Sequence, residues 1–360
     1  MITQGLLIGV SLVVALTAVG LTVLVVVAKL ARTHRERATE AALAPHRMPL
    51  LILGSGEDDD GAAMAHLLAV DHQAWRTVGP AVTAMLAKVR GEPVEDLVLV
   101  LREHGDVDRA LAELGSRSVV TRARAAYLLG LVRDRSHVPH LLPLLRDRSA
   151  EVRLVAVRAL GAIGDPVAAG DVLRALHSVR GHVGVPAFLA AEALLSLGTG
   201  GAAALREGLD SDDPTVRNAA ALVSGHGTFV SSAPRLRELV DADPDPEVRA
   251  TAAAALGLVG GADDVPTLAR HTAAGEPVEL RRTCAAALGE VGHPLAADTL
   301  AGLLADPDRR LAQIAADALV QLGPTGIGQL TGVPDGTPAA PAARGALQLA
   351  RLRAGEGAMA

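Results

Sequence analysis

A phrase of small apolar residues recurs along the chain, and its spacing restricts the possible folds more than any other feature. Each copy is rich in Ala, Leu or Val and ends in glycine; the seven closing glycines are Gly130, Gly161, Gly198, Gly225, Gly257, Gly289 and Gly323. Successive glycines are 31, 37, 27, 32, 32 and 34 residues apart. A period in the thirties is typical of a helical solenoid, and such stacks form long surfaces more readily than closed catalytic pockets.

The composition agrees with an all-α core. The aromatic residues of the 360-residue chain are Trp75, Tyr127, Phe188 and Phe229. Ala, Leu and Val must therefore fill the interior, which suits closely packed helices better than a β-sandwich. Acidic turns such as DSDDPT precede the second helix of each predicted pair and are expected to cap it. The closing glycines are predicted to take the left-handed conformation at helix ends.

The N-terminal segment predicts a membrane anchor. Residues 5–28 are uncharged and, as a helix, would span roughly 36 Å, enough to cross a hydrocarbon core of about 30 Å. A secretory signal peptide would need a basic start and a shorter apolar core; whether the segment is cleaved stays open. Lys29, Arg32, Arg35 and Arg37 follow the apolar run. The positive-inside rule then predicts a single-pass plasma-membrane protein, with its N-terminus outside and its C-terminal domain cytoplasmic.

These patterns divide the chain into five parts. They are a transmembrane anchor at 1–30, a flexible juxtamembrane linker at 31–60, an N-terminal helical cap at 61–116, the repeat solenoid at 117–330 and a C-terminal cap helix or tail at 331–360. The linker is predicted because its acidic end, GSGEDDDG, cannot bury a core. Within the cap, the apolar period predicts helices at 61–70, 72–89 and 93–103.

Two further motifs lack the spacing of a ligand site. Gly54 and Gly56 follow an apolar run, but Asp59 stands where a dinucleotide fingerprint needs its third glycine. Asp58, Asp59 and Asp60 are consecutive, which is typical of a solvated acidic turn. The 12 histidines show none of the usual zinc-binding spacings. We therefore predict no cofactor and no metal site.

The predicted second helices share a longer phrase. It reads EVRLVAVRALGAIGD from Glu151, TVRNAAALVSG from Thr215, EVRATAAAALGLVGG from Glu247 and ELRRTCAAALGEVGH from Glu279. The phrase resembles the HEAT repeat in its bacterial, phycobilin-lyase-like form, over about residues 93–330. The resemblance implies an all-α, right-handed α-solenoid of about seven helix pairs, here preceded by one transmembrane helix. HEAT proteins serve as scaffolds, adaptors, chromophore-lyase subunits and nucleic-acid-binding platforms.

Five repeats carry an arginine eight residues before the closing glycine. They are Arg122, Arg153, Arg217, Arg249 and Arg281, whereas the other two repeats have Ala190 and Ala315. One interpretation is an inter-repeat ladder of ion pairs, with partners among Asp147, Asp213, Asp245 and Glu276. The other is a basic stripe that binds an acidic partner. Nucleic acid is disfavoured, because the chain after residue 40 has 30 basic and 38 acidic side chains, a net charge of −8.

The single cysteine, Cys284, is predicted to be a packing residue. The same column holds alanine in five other repeats, at Ala125, Ala156, Ala193, Ala220 and Ala252. A position that accepts alanine five times faces the packed interior, where cysteine behaves as a small hydrophobic residue. A lone cysteine also fits a reducing compartment.

The segment 86–116 differs in composition from the repeats. Its charged residues form a candidate docking segment: Arg90, Glu92, Glu95, Arg102 and Glu103. We expect a non-catalytic, membrane-anchored scaffold or adaptor whose cytoplasmic solenoid binds a protein, and the resemblance implies a membrane glycosyltransferase as that partner. The alternatives are a lyase-type enzyme subunit related to chromophore-attaching HEAT proteins and a lipid or cell-envelope sensor. The sequence indicates neither the oligomeric state nor the pathway.

Overall fold

A computed structural model describes residues 39–177 and 184–357, together with residues 21, 29 and 37. Apart from residue 21, the predicted membrane span at 5–28 lies outside these residues. Among the helices of the described ranges, none is both long enough and apolar enough to cross a membrane. Every regular element in these ranges is an α-helix or a short 3-10 helix. Contacts divide the chain into two compact units, Met1–Arg109 and Ala110–Ala360.

The first unit is a small helical bundle. Its helices are α1 (Arg47–Ser55), α2 (Ala62–Leu68), α3 (His72–Leu86) and α4 (Pro93–Glu103). Trp75 on α3 is buried, stacks on His104 with ring centroids 3.5 Å apart, and donates its indole N–H to Asp106 Oδ2 at 2.7 Å. The bounds of α2 and α3 lie within three residues of those that the apolar period predicts, and the bounds of α4 match the prediction.

The prediction of a flexible linker over all of 31–60 is wrong for residues 47–55. These residues form α1, whose Leu50 and Leu53 are only 7% and 1% exposed. The acidic run that suggested a linker has a structural role instead, because Asp58 accepts hydrogen bonds from the Ala63 and Met64 amides at 2.9 and 2.8 Å. Asp58 thereby satisfies amides at the start of α2.

The second unit continues as an alternation of helices. They are α5 (Asp106–Glu113, which begins in the first unit), α6 (Val119–Val132), α7 (Val138–Leu141, continued by a 3-10 helix at Leu142–Arg146), α8 (Ala150–Ile163), α9 (Ala169–Arg174), α10 (Ala187–Ser196), α11 (Ala202–Leu209), α12 (Pro214–His226), α13 (Ala233–Ala242), α14 (Pro246–Val259), α15 (Val265–Arg270), α16 (Val278–Val291), α17 (Ala297–Leu303), α18 (Arg309–Gln321), α19 (Pro324–Thr331) and α20 (Ala340–Gly357).

The even-numbered helices from α6 to α18 are the second helices of repeats 1 to 7. Each packs against the second helix of the next repeat, and from α7 onward each first helix packs against its own second helix. This is the arrangement of a repeat solenoid, in which each unit is completed by its neighbour. At the C-terminal end, α20 packs against α18 and buries Ala340, Ala343 and Ala346. Of the two sequence alternatives for this segment, the structure has a packed helix.

The closing glycines allow neighbouring second helices to approach closely. A Cβ added to Gly130 would lie 2.7 Å from the Cα of Ala159, and one on Gly257 would lie 2.8 Å from the Cα of Ala287. The same holds for Gly161, Gly225 and Gly289, and all five lie inside their helices. The prediction that the closing glycines end helices is therefore wrong for these five. It is right for Gly198 and Gly323, whose φ angles are 65° and 66°.

The helix contacts also correct the alignment of repeats 3 and 7. Gly161 and Gly289 abut Ala193 and Ala318, which lie two residues before Leu195 and Val320. The closing glycines of repeats 1, 4 and 5 each abut an alanine of the next repeat. That alanine lies two residues before the closing glycine of its own repeat. Leu195 and Val320 are therefore the structural equivalents of the glycines, and the repeat intervals become 31, 34, 30, 32, 32 and 31 residues.

Candidate functional site: the arginine ladder and the second-helix face

The arginine column lies between successive repeats. Arg122 at the start of α6 donates through Nε and Nη2 to both oxygens of Asp147, at 2.8 Å each, and Asp147 belongs to the turn before α8. The remaining terminal nitrogen donates to the Ser116 carbonyl at 2.8 Å. A two-point pair of this kind fixes the angle of the guanidinium as well as its position. Arg153 donates to the carbonyl oxygens of Asp147 and Arg148.

Arg217 forms the same two-point pair as Arg122, at a more buried position. It donates to Asp243 through Nε at 2.7 Å and Nη2 at 2.9 Å, and both residues are buried. Burial opposes ionisation of Asp243, but the Arg217 guanidinium and the Asp245 amide outweigh it, so the pKa of Asp243 lies below its usual value. Asp147 has a lowered pKa for the same reason, with Arg122 as the cation.

Arg249 and Arg281 use a different backbone anchor. Their Nε groups donate to the carbonyl oxygens of Val240 and Thr272, at 3.0 and 2.9 Å. Arg249 then reaches Glu276 at 3.0 Å, and Arg281 reaches Asp306. Both acidic residues precede the next second helix, so these arginines also connect adjacent repeats.

His271 adds a histidine to the contacts between repeats 5 and 6. Its two ring nitrogens lie 2.7 Å from Glu276 Oε1 and 2.7 Å from Asp241 Oδ1, and the residue is buried. The hydrogen bond from His271 is the largest cause of the lowered pKa of Glu276, and Arg249 adds to it. Sequence reasoning did not find His271, because Asp241 lies thirty residues before it in the chain.

Two of the four predicted acidic partners have another role. Asp213 accepts a hydrogen bond from the Thr215 amide at 2.7 Å, and Asp245 accepts from the Glu247 amide at 2.8 Å, so both are N-caps of their own helices. Asp243 and Asp306 are instead the carboxylates that pair with Arg217 and Arg281. Arg122, Arg217, Arg249 and Arg281 are thus each held by a carboxylate of the following repeat, which leaves little guanidinium surface for an acidic partner.

The solvent-facing side of the second helices offers a different surface. Counted from the closing glycine or its structural equivalent, positions −10, −3 and +1 are exposed in most repeats, position −7 is exposed in repeats 3 and 7, and position 0 is exposed in repeat 3. At 100° per residue these positions lie within about 100° of arc on each helix. We call this surface the second-helix face. Its columns run from repeat to repeat because the second helices pack side by side in order.

Large apolar side chains interrupt the polar residues of the second-helix face. Phe188 is 68% exposed, Leu195 and Leu222 are each 39% exposed, and Leu258 is 44% exposed. We call these four residues the apolar stripe; they belong to repeats 3, 4 and 5. Isolated exposed leucines are common on proteins, whereas several exposed apolar side chains on one face of consecutive repeats are typical of an interaction surface.

The acidic residues of the same face accompany the stripe. Glu192, Glu247, Glu279 and Glu290 are all exposed on α10, α14 and α16. The one arginine among them, Arg282, donates to Asp308 at 2.8 Å and to Glu279 at 2.6 Å. The face of repeats 3 to 6 therefore carries net negative charge. In repeat 2, Arg158 is exposed at position −3 of the face, and in repeat 1, Arg124 is exposed beside the face at position −6.

The candidate docking segment lies on the surface of the first unit. Arg90 and Glu92 precede α4, and Glu95, Arg102 and Glu103 are exposed on it. Leu99, 44% exposed, lies between Glu95 and Arg102 on one side of the helix. Whether a partner docks there stays a prediction.

Cys284 is buried in the packed side of α16. Burial raises the pKa of its thiol to about 12, so the thiolate needed for nucleophilic attack is scarce at neutral pH. Of the five alanines predicted to be equivalent to Cys284, four keep that position in the structure. In repeat 3 the equivalent residue is Ala190 instead of Ala193, because the reference position is Leu195 and not Gly198. Within the described ranges, no three His, Cys, Asp or Glu side chains are grouped so that they could hold a metal ion.

Comparison with known families identifies the repeats. Residues 107–183 and 202–278 match the family model for HEAT repeats. These segments are HEAT repeats, which confirms that part of the sequence-based resemblance. No curated protein matches the chain.

Solved structures give weaker likenesses. The complex of CpcE and CpcF of phycocyanin lyase from Nostoc sp. PCC7120 is 19% identical over 71% of this chain and 90% of its own, with a TM-score of 0.26. Human deoxyhypusine hydroxylase is 19% identical over 87% of this chain and 99% of its own, with a TM-score of 0.29. Kap95p, solved with RanGDP, is 12% identical over 87% of this chain and 52% of its own, with a TM-score of 0.49. None of these likenesses identifies a function.

Proposed function

Since residues 107–183 and 202–278 are HEAT repeats, we propose that the chain is a non-catalytic scaffold whose second-helix face binds a protein partner. The observation that carries the proposal is the apolar stripe. Leu222 and Leu258 are 39% and 44% exposed on a face that the repeats leave uncovered within the described residues. Stacked helical repeats commonly use such extended surfaces for protein binding.

The arginine ladder supports this choice of face. Its charged groups are used between repeats, so they hold the stack together and keep the second helices in register. A rigid surface loses little conformational entropy when it binds, which favours recognition of a partner.

The proposal includes a membrane location. Residues 5–28 are apolar and uncharged, and Lys29 with three following arginines favours a single-pass plasma-membrane anchor with the repeats in the cytoplasm. An anchor raises the effective concentration of the scaffold for a partner in the same membrane, so modest affinity suffices. A membrane glycosyltransferase is the partner class that the HEAT resemblance favours.

Site-specific photocrosslinking tests the proposed binding face. A photoreactive amino acid would replace Leu222 or Leu258 in the full-length chain, with Leu295 as the control. Leu295 is 65% exposed but lies in the 3-10 helix before α17, away from the second-helix face. We expect the same crosslinked protein from both face positions and none from Leu295. Equal crosslinking from all three positions, or none from any, would refute the proposal.

The anchor has its own test. Full-length protein should remain with membranes after an alkaline wash, and a chain lacking residues 1–38 should be released into the supernatant. Protease added to intact spheroplasts should leave the repeats uncut if they lie in the cytoplasm. Release of the full-length chain by the wash would contradict the anchor without affecting the binding face.

A further inference from the structure

We propose that the second-helix face of repeats 3 to 6 binds a cationic amphipathic helix of the partner. This inference rests on the proposed scaffold function and names the chemistry of its partner. Three features carry it: the width of the apolar stripe, the distance between its side chains in successive repeats, and the charge of the residues around it.

The width of the stripe matches a helix. On α10 its residues occupy positions −7 (Phe188) and 0 (Leu195), about 10 Å apart along the helix axis, and α12 and α14 add one side chain each, Leu222 at −3 and Leu258 at +1. A helix with its side chains is about 10–12 Å in diameter, whereas a single extended strand is narrower. A helix that lies across α10, α12 and α14 could therefore contact apolar side chains on all three helices.

The spacing of the apolar side chains from one repeat to the next matches the length of one heptad in a helix. Packed helices have axes about 8–10 Å apart, so the apolar side chains of successive repeats recur at about that distance. Seven residues of an α-helix rise about 10.5 Å. A partner helix with apolar residues at heptad spacing would thus place one apolar group on each repeat, as in other helix-in-groove complexes.

The charge of the face selects a basic partner. Glu192, Glu247 and Glu290 are exposed around the stripe. Glu279 is also exposed but is paired with Arg282, which in turn pairs with Asp308. Lysine or arginine residues that flank the partner's apolar positions would meet these carboxylates. A second copy of the same acidic face, or an anionic lipid surface, would be repelled.

A designed peptide pair tests the inference directly. The first peptide has three heptads, with leucine on one side and lysine on the others; the second has glutamate in place of lysine. Binding of each fluorescent peptide to the full-length chain in nonionic detergent would be measured by anisotropy. We expect the lysine peptide to bind at least about tenfold more tightly, and its affinity to fall as salt rises.

Variants locate the binding. Leu222→Ser with Leu258→Ser, and separately Glu247→Lys with Glu290→Lys, should each weaken the lysine peptide about tenfold. Leu295→Ser, also at an exposed leucine, should leave binding unchanged. Because all five residues are exposed or lie on an exposed face, these variants should fold, and circular dichroism with thermal melts checks that they do.

The outcomes separate this inference from the scaffold function. If the lysine peptide binds equally well to all variants, the cation specificity is a property of the whole acidic chain, and the inference is wrong. If neither peptide binds but the crosslinks at Leu222 and Leu258 persist, the partner has other chemistry and the scaffold function stands. If the glutamate peptide binds more tightly, the charge argument is refuted.

Discussion

Arg217 in repeat 4 and Asp243 in repeat 5 form a buried two-point ion pair, with N–O distances of 2.7 and 2.9 Å. The pair connects the start of α12 to the turn before α14. Asp243 also accepts a hydrogen bond from the Asp245 amide at 2.9 Å. One carboxylate thus positions both the neighbouring guanidinium and the turn of its own repeat.

Removal of the Arg217 side chain should be strongly destabilising. Arg217→Ala leaves Asp243 buried without its cation, and loss of one partner of a buried pair costs about 3–5 kcal/mol. The double variant Arg217→Met with Asp243→Leu should recover part of the loss, because no unpaired charge remains, while the Asp245 amide and the Ser211 carbonyl still lose their hydrogen-bond partners. Urea denaturation measures both. Arg174→Ala, which breaks an exposed pair with Asp171, is the control and should cost less than about 1 kcal/mol; equal losses for Arg217 and Arg174 would contradict the assignment.

A methyl group at Gly257 should force α14 and α16 apart. Its Cβ would lie 2.8 Å from the Cα of Ala287, and overpacking of this kind costs about 1–3 kcal/mol. Gly302→Ala in α17 is the matched control, since nothing lies within 4 Å of its Cβ and alanine favours helix by up to about 1 kcal/mol. Thermal unfolding should therefore shift in opposite directions for the two variants. A stabilising Gly257→Ala would show that the helices can separate freely.

The stability of the repeats should fall at acidic pH. Asp147, Asp243, Glu276 and Asp308 all have pKa values lowered in the folded chain. Their ionised forms therefore stabilise the fold above about pH 4, near the unfolded pKa values, and this contribution is lost as the pH falls through the folded values.

Urea midpoints between pH 7 and pH 3 measure this loss. Asp243→Asn should be less stable at pH 7 and should show a shallower decline, because one of the titrating groups is gone. An unchanged slope in that variant would mean that Asp243 does not contribute to the acid sensitivity.

Cys284 should resist thiol reagents in the folded protein. Burial and a pKa of about 12 leave little accessible thiolate at pH 8. Labelling should be at least about a hundredfold slower in buffer than in urea, and it should then follow unfolding. Ser196→Cys provides an exposed control on α10 and should react in buffer. If Cys284 reacts as fast as this control, its packing assignment is wrong.

The sequence predicted the repeated features well. The glycine period gave the helical repeats, and the aromatic-poor composition gave an Ala, Leu and Val core, because both signals are local and recur seven times. The column of Cys284 was assigned to packing by the same repetition. By contrast, α1 was missed because an acidic segment next to it was interpreted as part of a linker, although Asp58 caps the next helix.

What the sequence by itself determined is where helices form and how often they recur, since these depend on residues a few positions apart. Tertiary structure alone decided that Arg217 pairs with Asp243 and not with Asp213 or Asp245. The guanidinium reaches across to the next repeat, so its partner depends on how the helices stack. The same stacking decided that Gly257 serves close approach rather than helix termination, because only the position of Ala287 makes a Cβ there too large.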